Sequence, residues 1–129
     1  MLGLKADIIL LDKYANKDDK RLVELATYYV TSGPNEITVV VHGNKEEFVV
    51  TNKYGEQITL SPNELAEIIK DYKEYTKDKT IILESCETGS EGGPAEDLHD
   101  ILGNPVYAPK ERVIPGTKRK KNVWRLIND

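Results

Sequence analysis

Apolar runs and stretches of helical periodicity alternate along this chain, and that alternation predicts its elements. Asp7 to Leu11 (DIILL) is a continuous apolar run bounded by Lys5 and Asp12, the pattern of a short buried strand. From Asp18 to Val30 the apolar residues fall at Leu22, Val23, Leu25, Ala26, Tyr29 and Val30, which is helical spacing. Asp18 and Asp19 sit where the helix dipole favours negative charge, and Ser32-Gly33-Pro34-Asn35 ends the helix. Ile37 to Val41 (ITVVV) is a β-branched run and predicts a central strand. Phe48 to Val50 and Gln57 to Leu60 flank Asn52-Lys53-Tyr54-Gly55, the pattern of a hairpin. Ser61-Pro62-Asn63-Glu64 supplies a cap, a proline at the first helical position and a capping-box acid. The helix it starts carries Leu65, Ile68, Ile69, Tyr72 and Tyr75 on one face. Thr80 to Glu84 predicts a strand, Ala95 to Leu102 a short helix ended by Gly103-Asn104, and Val106 to Ala108 another strand. Val113-Ile114 and Val123 to Ile127 predict a last hairpin around a basic turn. There is no internal repeat and no low-complexity segment or linker.

Strands alternating with helices predict an α/β domain with a mainly parallel sheet flanked by helices, interrupted by a β-hairpin insertion. In such sheets, sites form at the carboxyl ends of the strands. Two strand ends carry chemistry: ITVVV runs into His42-Gly43, and TIILES runs into Cys86. One hairpin and one crossover helix separate them, the connection that sets two strands side by side and parallel. His42 and Cys86 should then lie within a strand spacing or two, on the order of 5–10 Å.

Composition narrows the classes. A chain of 129 residues is about one domain, 1–129, with enough length for a real core. A net charge of −4 argues against nucleic-acid binding, which calls for a basic face. A single cysteine excludes an internal disulfide and a multi-cysteine zinc site. No apolar run approaches the roughly 18 residues needed to cross a bilayer, and Met1 to Ala6 lacks a signal-peptide pattern. The expectation is a soluble, mildly acidic domain taken from something longer, with neither nucleic acid nor membrane as partner, and no metal.

Cys86 has two readings: a small buried filler, or a nucleophile. A free thiol is mostly protonated at neutral pH, so a nucleophile needs a base, and His42 is the candidate. The backbone N–H groups of Gly43 and Cys86 are candidates for an oxyanion hole, with glycine at 43 keeping the backbone open to substrate. Glu87-Thr88-Gly89 and Gly92-Gly93-Pro94 read as a mobile wall of the substrate cleft. Glu84 and Glu87 flank the thiol; as cleft residues they would select a basic side chain, and otherwise they are solvated charges. His99 reads as a surface position on the short helix or, less simply, as a catalytic or orienting group. Lys118-Arg119-Lys120-Lys121 is a compact cationic run, either a solvated turn or an attractor of polyanions. Trp124 and the alternating Val123, Arg125 and Ile127 read as cover for one end of the core.

The pair of motifs resembles the caspase-like (clan CD) cysteine peptidases, which include caspases, legumains, gingipains and the self-cleaving protease domains of large bacterial toxins. In that group a strand ending in His-Gly and a strand ending in Ser-Cys or Ala-Cys carry a His–Cys dyad, matched here by His42-Gly43 and Cys86. A closer similarity covers Val39 to Trp124: "VHGN", "SPNELAEIIK", "IILESCETGS", "LHDILGNPVYAP" and the late Trp look like a C-terminal domain of bacterial polymorphic toxins and effectors. The helix after the Gly-rich loop departs from that pattern, with Ala95-Glu96-Asp97-Leu98-His99 where relatives are richer in glutamine and alanine. The resemblance implies a three-layer caspase-like (Rossmann-like) fold and a secreted or delivered bacterial protein acting in the cytosol. It also implies a protein or peptide substrate, including the parent chain itself, and a cognate immunity protein as partner. In the self-cleaving toxin proteases a basic surface near a C-terminal β-flap binds inositol hexakisphosphate, a role that would fall to Lys118, Arg119, Lys120 and Lys121.

Two function classes follow. One is a thiol enzyme, first a cysteine peptidase and, with the same dyad, a deamidase or transglutaminase. The other is a non-catalytic binding, delivery or immunity-type module of a toxin system.

Overall fold

The computed structural model describes residues 4–11, 17–52 and 54–128. Its elements, in chain order, are β1 (Leu4–Lys5), β2 (Ile8–Leu10), α1 (Lys17–Tyr29), β3 (Thr31–Ser32), β4 (Glu36–Gly43), β5 (Phe48–Thr51), β6 (Gln57–Leu60), α2 (Pro62–Lys70), β7 (Thr80–Glu84), α3 (Pro94–Leu102), β8 (Val106–Pro109) and β9 (Trp124–Ile127). The side chains of Asp12, Asp18 and Asp19, read above as bounding a strand and starting a helix, lie outside the described part.

β4 is the axis of the sheet. Its β-branched residues suit extended backbone because their χ1 freedom is already restricted there. β7 pairs with it in parallel from Glu36↔Thr80 to Val40↔Glu84, and β8 pairs in parallel with β7. β2 also pairs with β4 in parallel, through Ile8↔Val39 to Leu10↔Val41. The hairpin β5–β6 adds antiparallel strands, and β9 closes the far side antiparallel to β8, giving seven strands. The sheet is therefore mixed, with a parallel centre, rather than mainly parallel. The last hairpin also differs from expectation. β9 pairs with β8, not with Val113-Ile114, because Val106↔Ile127 to Pro109↔Trp124 uses the free edge that β8 offers. A second sheet, absent from the hydrophobic pattern, joins β1 and β3 through Leu4↔Ser32 and Lys5↔Thr31.

Alternation along β4 divides the core. Ile37, Val39 and Val41 pack with Leu65, Ala66 and Ile69 of α2 and with Leu98 and Leu102 of α3. Val40 faces the other way, onto Ala26 and Val30 at the end of α1. Each fully buried aliphatic side chain contributes about 1.5–3 kcal/mol of hydrophobic stabilisation, so this two-sided burial fixes the register of β4. α2 starts as its sequence predicts: Ser61 Oγ accepts from Glu64 N at 3.1 Å, and Glu64 Oε1 accepts from Ser61 N at 3.0 Å. α3 ends at Gly103, whose φ of 81° is a left-handed conformation that glycine adopts without a Cβ penalty.

Two polar knots, one part-buried around Asp7 and one around the buried Asn104, hold the frame. Asp7 Oδ2 accepts from Ser32 Oγ at 2.7 Å and Thr38 N at 2.8 Å, while Oδ1 accepts from Tyr72 at 2.9 Å. Asn104 is fully buried; its Nδ2 donates to the carbonyls of Thr76 and Lys79, and its Oδ1 accepts from Tyr75 at 2.7 Å. His99 belongs to this second knot, with Nδ1 2.7 Å from the Asn104 carbonyl oxygen. It is buried at 4% exposure, not on the surface, because helical spacing from Ala95 turns it toward the sheet.

Candidate functional site

The register of β4 and β7 decides where the sequence-predicted pair lies. Val40 and Glu84 are partners, and His42 and Cys86 each follow two residues further along the same direction. Both end on the α1 face, and both line one small cavity of about 40 Å³ with Leu11, Leu22, Val113 and Pro115. The two strand termini expected to converge do so.

The backbone around them is also directed. Asn44 N donates to Glu47 O at 3.0 Å, closing the β4–β5 turn, so Gly43↔Phe48 is a pair without ladder bonds. The Gly43 N–H therefore points away from β5, across the edge where Asn35 O accepts from Thr80 N, which is the β7 edge. It does so past the last β4–β7 pair, Val40↔Glu84. The reason for glycine at this position differs from the expected one. A Cβ at Gly43 would overlap Thr88 Cγ2 and Ser85 Oγ, on the face opposite the thiol. Packing, rather than substrate approach, requires a bare Cα here.

The loop after Cys86 is a tied structure rather than a mobile wall. Thr88 Oγ1 donates to Ser85 O at 2.9 Å, Gly89 N to Pro109 O at 2.8 Å, Gly93 N to Ser90 O at 2.9 Å and Ala95 N to Thr88 O at 3.1 Å. Arg125 reaches Glu96 Oε2 at 2.6 Å and Gly89 O at 3.3 Å, and Gly92 N donates to the same Glu96 oxygen. Thr88 and Gly89 are buried, so neither presents a side chain or an open surface to substrate. Glu87 has a φ of 61°, a left-handed backbone that costs an ordinary residue about 1–2 kcal/mol, and it turns the chain into this loop. Its side chain lines an open cleft with Asn44, Lys45 and Glu46, apart from the cavity of the thiol.

Glu84 is neither a solvated charge nor an exposed specificity group. Its side chain is 1% exposed, and Oε2 lies 3.8 Å from Arg119 Nε. Among the described residues neither of those two atoms has a hydrogen-bond partner, and Ser85 Oγ is likewise unpartnered. Burial pushes the Glu84 carboxyl up to about 7, against the pull of the Arg119 guanidinium and the Gly116 N–H. Arg119 thus leaves the basic run: it turns inward to Glu84, donates to Thr31 O at 3.1 Å and lies 5.5 Å over the Trp124 ring. Lys118, Lys120 and Lys121 stay exposed. Among the described residues no cluster of His, Cys, Asp and Glu has metal-binding geometry.

One contact had no signal in the sequence. Cys86 Sγ is 3.2 Å from Val113 O, to which the thiol donates, and 3.3 Å from Val113 N, which donates to it. Next to this, Glu87 N donates to Glu111 O at 3.0 Å. Residues 110–123, between β8 and β9, pass across the end of β7 and reach the end of α1, where Gly116 packs on Tyr29.

A family model described as "Domain of unknown function (DUF8616)" matches residues 9–123. The chain belongs to that family. His42, Cys86, Glu84 and Val113 all fall inside the DUF8616 match, so the cavity and the segment covering it are parts of one family domain. No curated protein and no solved structure matches the chain. Among the described residues, no helix is long and apolar enough to cross a membrane.

Proposed function

We propose that this DUF8616 chain is a caspase-like cysteine peptidase domain, a three-layer α/β unit in which Cys86 is the nucleophile and His42 its base. The observation that supports this reading is the shared register: one imidazole and one thiol, each two residues beyond the Val40–Glu84 pair, lining one cavity. In the proposed reaction His42 takes the thiol proton as Sγ forms a bond to the scissile carbonyl carbon. The C–N bond then breaks, His42 returns the proton to the departing amine, and water hydrolyses the thioester to free the acid and the thiol. The Gly43 N–H, aimed at the β7 edge, and the Cys86 N–H would receive the negative charge that develops on the carbonyl oxygen.

The motif resemblance extends the proposal to a bacterial toxin or effector context. The substrate would then be a protein, the parent chain among them, and an immunity protein would be the natural partner. If an inositol phosphate acts as activator, Lys118, Lys120 and Lys121 are the cations free to meet it, since Arg119 is committed to Glu84.

The test is cleavage of a diverse peptide pool by a Val113→Pro chain, in which the bond from Val113 N to Sγ is lost, and by the same chain carrying Cys86→Ser or His42→Ala, with new termini read by mass spectrometry. Cuts made by the Val113→Pro chain and lost in both further variants are expected. Cuts that persist in Cys86→Ser would refute the assignment of the nucleophile. The engagement of Sγ by both Val113 backbone groups favours a second reading, a non-catalytic module with a structural thiol. That reading predicts no cuts even when Val113 is displaced.

A further inference from the structure

The thiol sits beneath a single layer of chain. Val113 lines the small cavity with His42 and Cys86, and it also lines an outer groove of about 290 Å³ with Ile114, Lys120 and Trp124. Ile114 next to it is 53% exposed. Cys86 itself is half-buried, and the backbone of one residue, Val113, covers one side of its sulfur by bonding to it with its own N–H and C=O.

Its manner of bonding is that of an extended peptide. Glu111 O accepts from Glu87 N, and two residues on, Val113 offers both of its peptide groups to Sγ. That alternation is how one strand reads another. The segment is held at its far side as well: Pro115 is buried, the Gly116 N–H meets Glu84, and Arg119 reaches Glu84 and Thr31 O. At its base Lys110 N donates to Val123 O at 2.7 Å, so the two ends stay together when the middle moves.

We propose that residues 111–117 form an internal strap that occupies the place of an extended peptide over Cys86 and holds the site closed until it is displaced. It deepens the peptidase reading by giving that site a built-in block and by making the substrate an extended peptide backbone. Displacing Val113 would join the cavity of the thiol to the outer groove, leaving one cleft that runs past His42 and Cys86.

The experiment is the rate of Cys86 alkylation by iodoacetamide near neutral pH in the native chain, followed by mass spectrometry. Wild type is compared with Val113→Pro, which has no N–H to offer Sγ, and with a variant carrying a Gly/Ser linker of equal length at 111–117. Circular dichroism and a thermal melt establish which variants are folded. Alkylation at least about tenfold faster in a folded variant is expected, since Val113 shields and hydrogen-bonds the half-buried sulfur and local opening removes that cover. A rate within about twofold of wild type in the folded variants would overturn the strap. The dyad is read separately, by adding His42→Ala to the opened variant. If opening speeds alkylation and His42→Ala does not slow it, the strap stands and the peptidase reading falls.

Discussion

Glu84 Oε2 and Arg119 Nε face each other at 3.8 Å with the carboxylate 1% exposed, an ion pair made under the carboxyl edge of the sheet. The pair is too long for a hydrogen bond and does not recover the desolvation of the acid, which is why burial wins and the carboxyl rises to about 7.

A pH dependence of stability follows. The folded state holds the Glu84 proton more tightly than the unfolded chain, whose value is about 4.5, so stability falls as pH rises from 5 toward 7 and is flat above. Between pH 5.5 and 8 this site costs about 2 kcal/mol. Urea denaturation at the two pH values should show that loss in wild type and little of it in Glu84→Gln. Equal slopes for the two proteins would refute the assignment.

Asp7 should matter more than its place beside a short strand suggests. Asp7→Ala leaves the Thr38 N–H and the Tyr72 hydroxyl unpaired, while Ser32 Oγ keeps the Glu36 carbonyl, and should cost about 2–4 kcal/mol, whereas Tyr72→Phe removes one bond and should cost about 1–2. Burial and the nearby Asp7 carboxylate push the Tyr72 phenol up to about 12. A phenolate absorbance titration should therefore contain a late tyrosine that disappears in Tyr72→Phe.

Gly43→Ala should destabilise by about 1–3 kcal/mol because its methyl must displace Thr88 and Ser85. Thr88→Ser removes the methyl it meets, so the double variant should recover part of the loss. Strict additivity in the double-mutant cycle would mean that the two side chains do not meet.

Asn104→Ala removes a fully buried side chain that is the partner of the Lys79 carbonyl and the Tyr75 phenol, and one of the two donors to the Thr76 carbonyl. A loss of about 2–4 kcal/mol is expected, with hydrogen exchange quickening in the 72–80 turn. Unchanged exchange there would show that the knot does not hold that turn.

The hydrophobic pattern was sufficient for the parallel centre. ITVVV and TIILE appear within one or two residues of their expected bounds, and the helix capped at Ser61 starts where expected, since each is specified by local side-chain chemistry; that helix ends at Lys70, however, so Tyr72 and Tyr75 lie beyond it rather than on its face. It was sufficient too for the convergence of His42 and Cys86, which needs only strand direction and connection. It failed where a long-range partner decides. The edge that captures β9, the two-residue β1 and β3, the inward turn of Arg119 and the burial of His99 depend on neighbours distant in sequence. The polarity of Glu84, Thr88 and Arg119 reads as surface in one dimension. Val113 carries no polar side chain at all, and its role lies wholly in its peptide groups.

The covering of Cys86 by the β8–β9 connection has a consequence for changes in its length. Both ends of that connection are clamped together by the Lys110 N to Val123 O bond, and β9 pairs with β8 on the far side of it. Doubling a loop costs only about 0.6 kcal/mol in closure entropy. Changes of length are therefore tolerated there more readily than in the sheet, and under the proposal above they would alter how Cys86 is covered without altering the strands that carry His42 and Cys86.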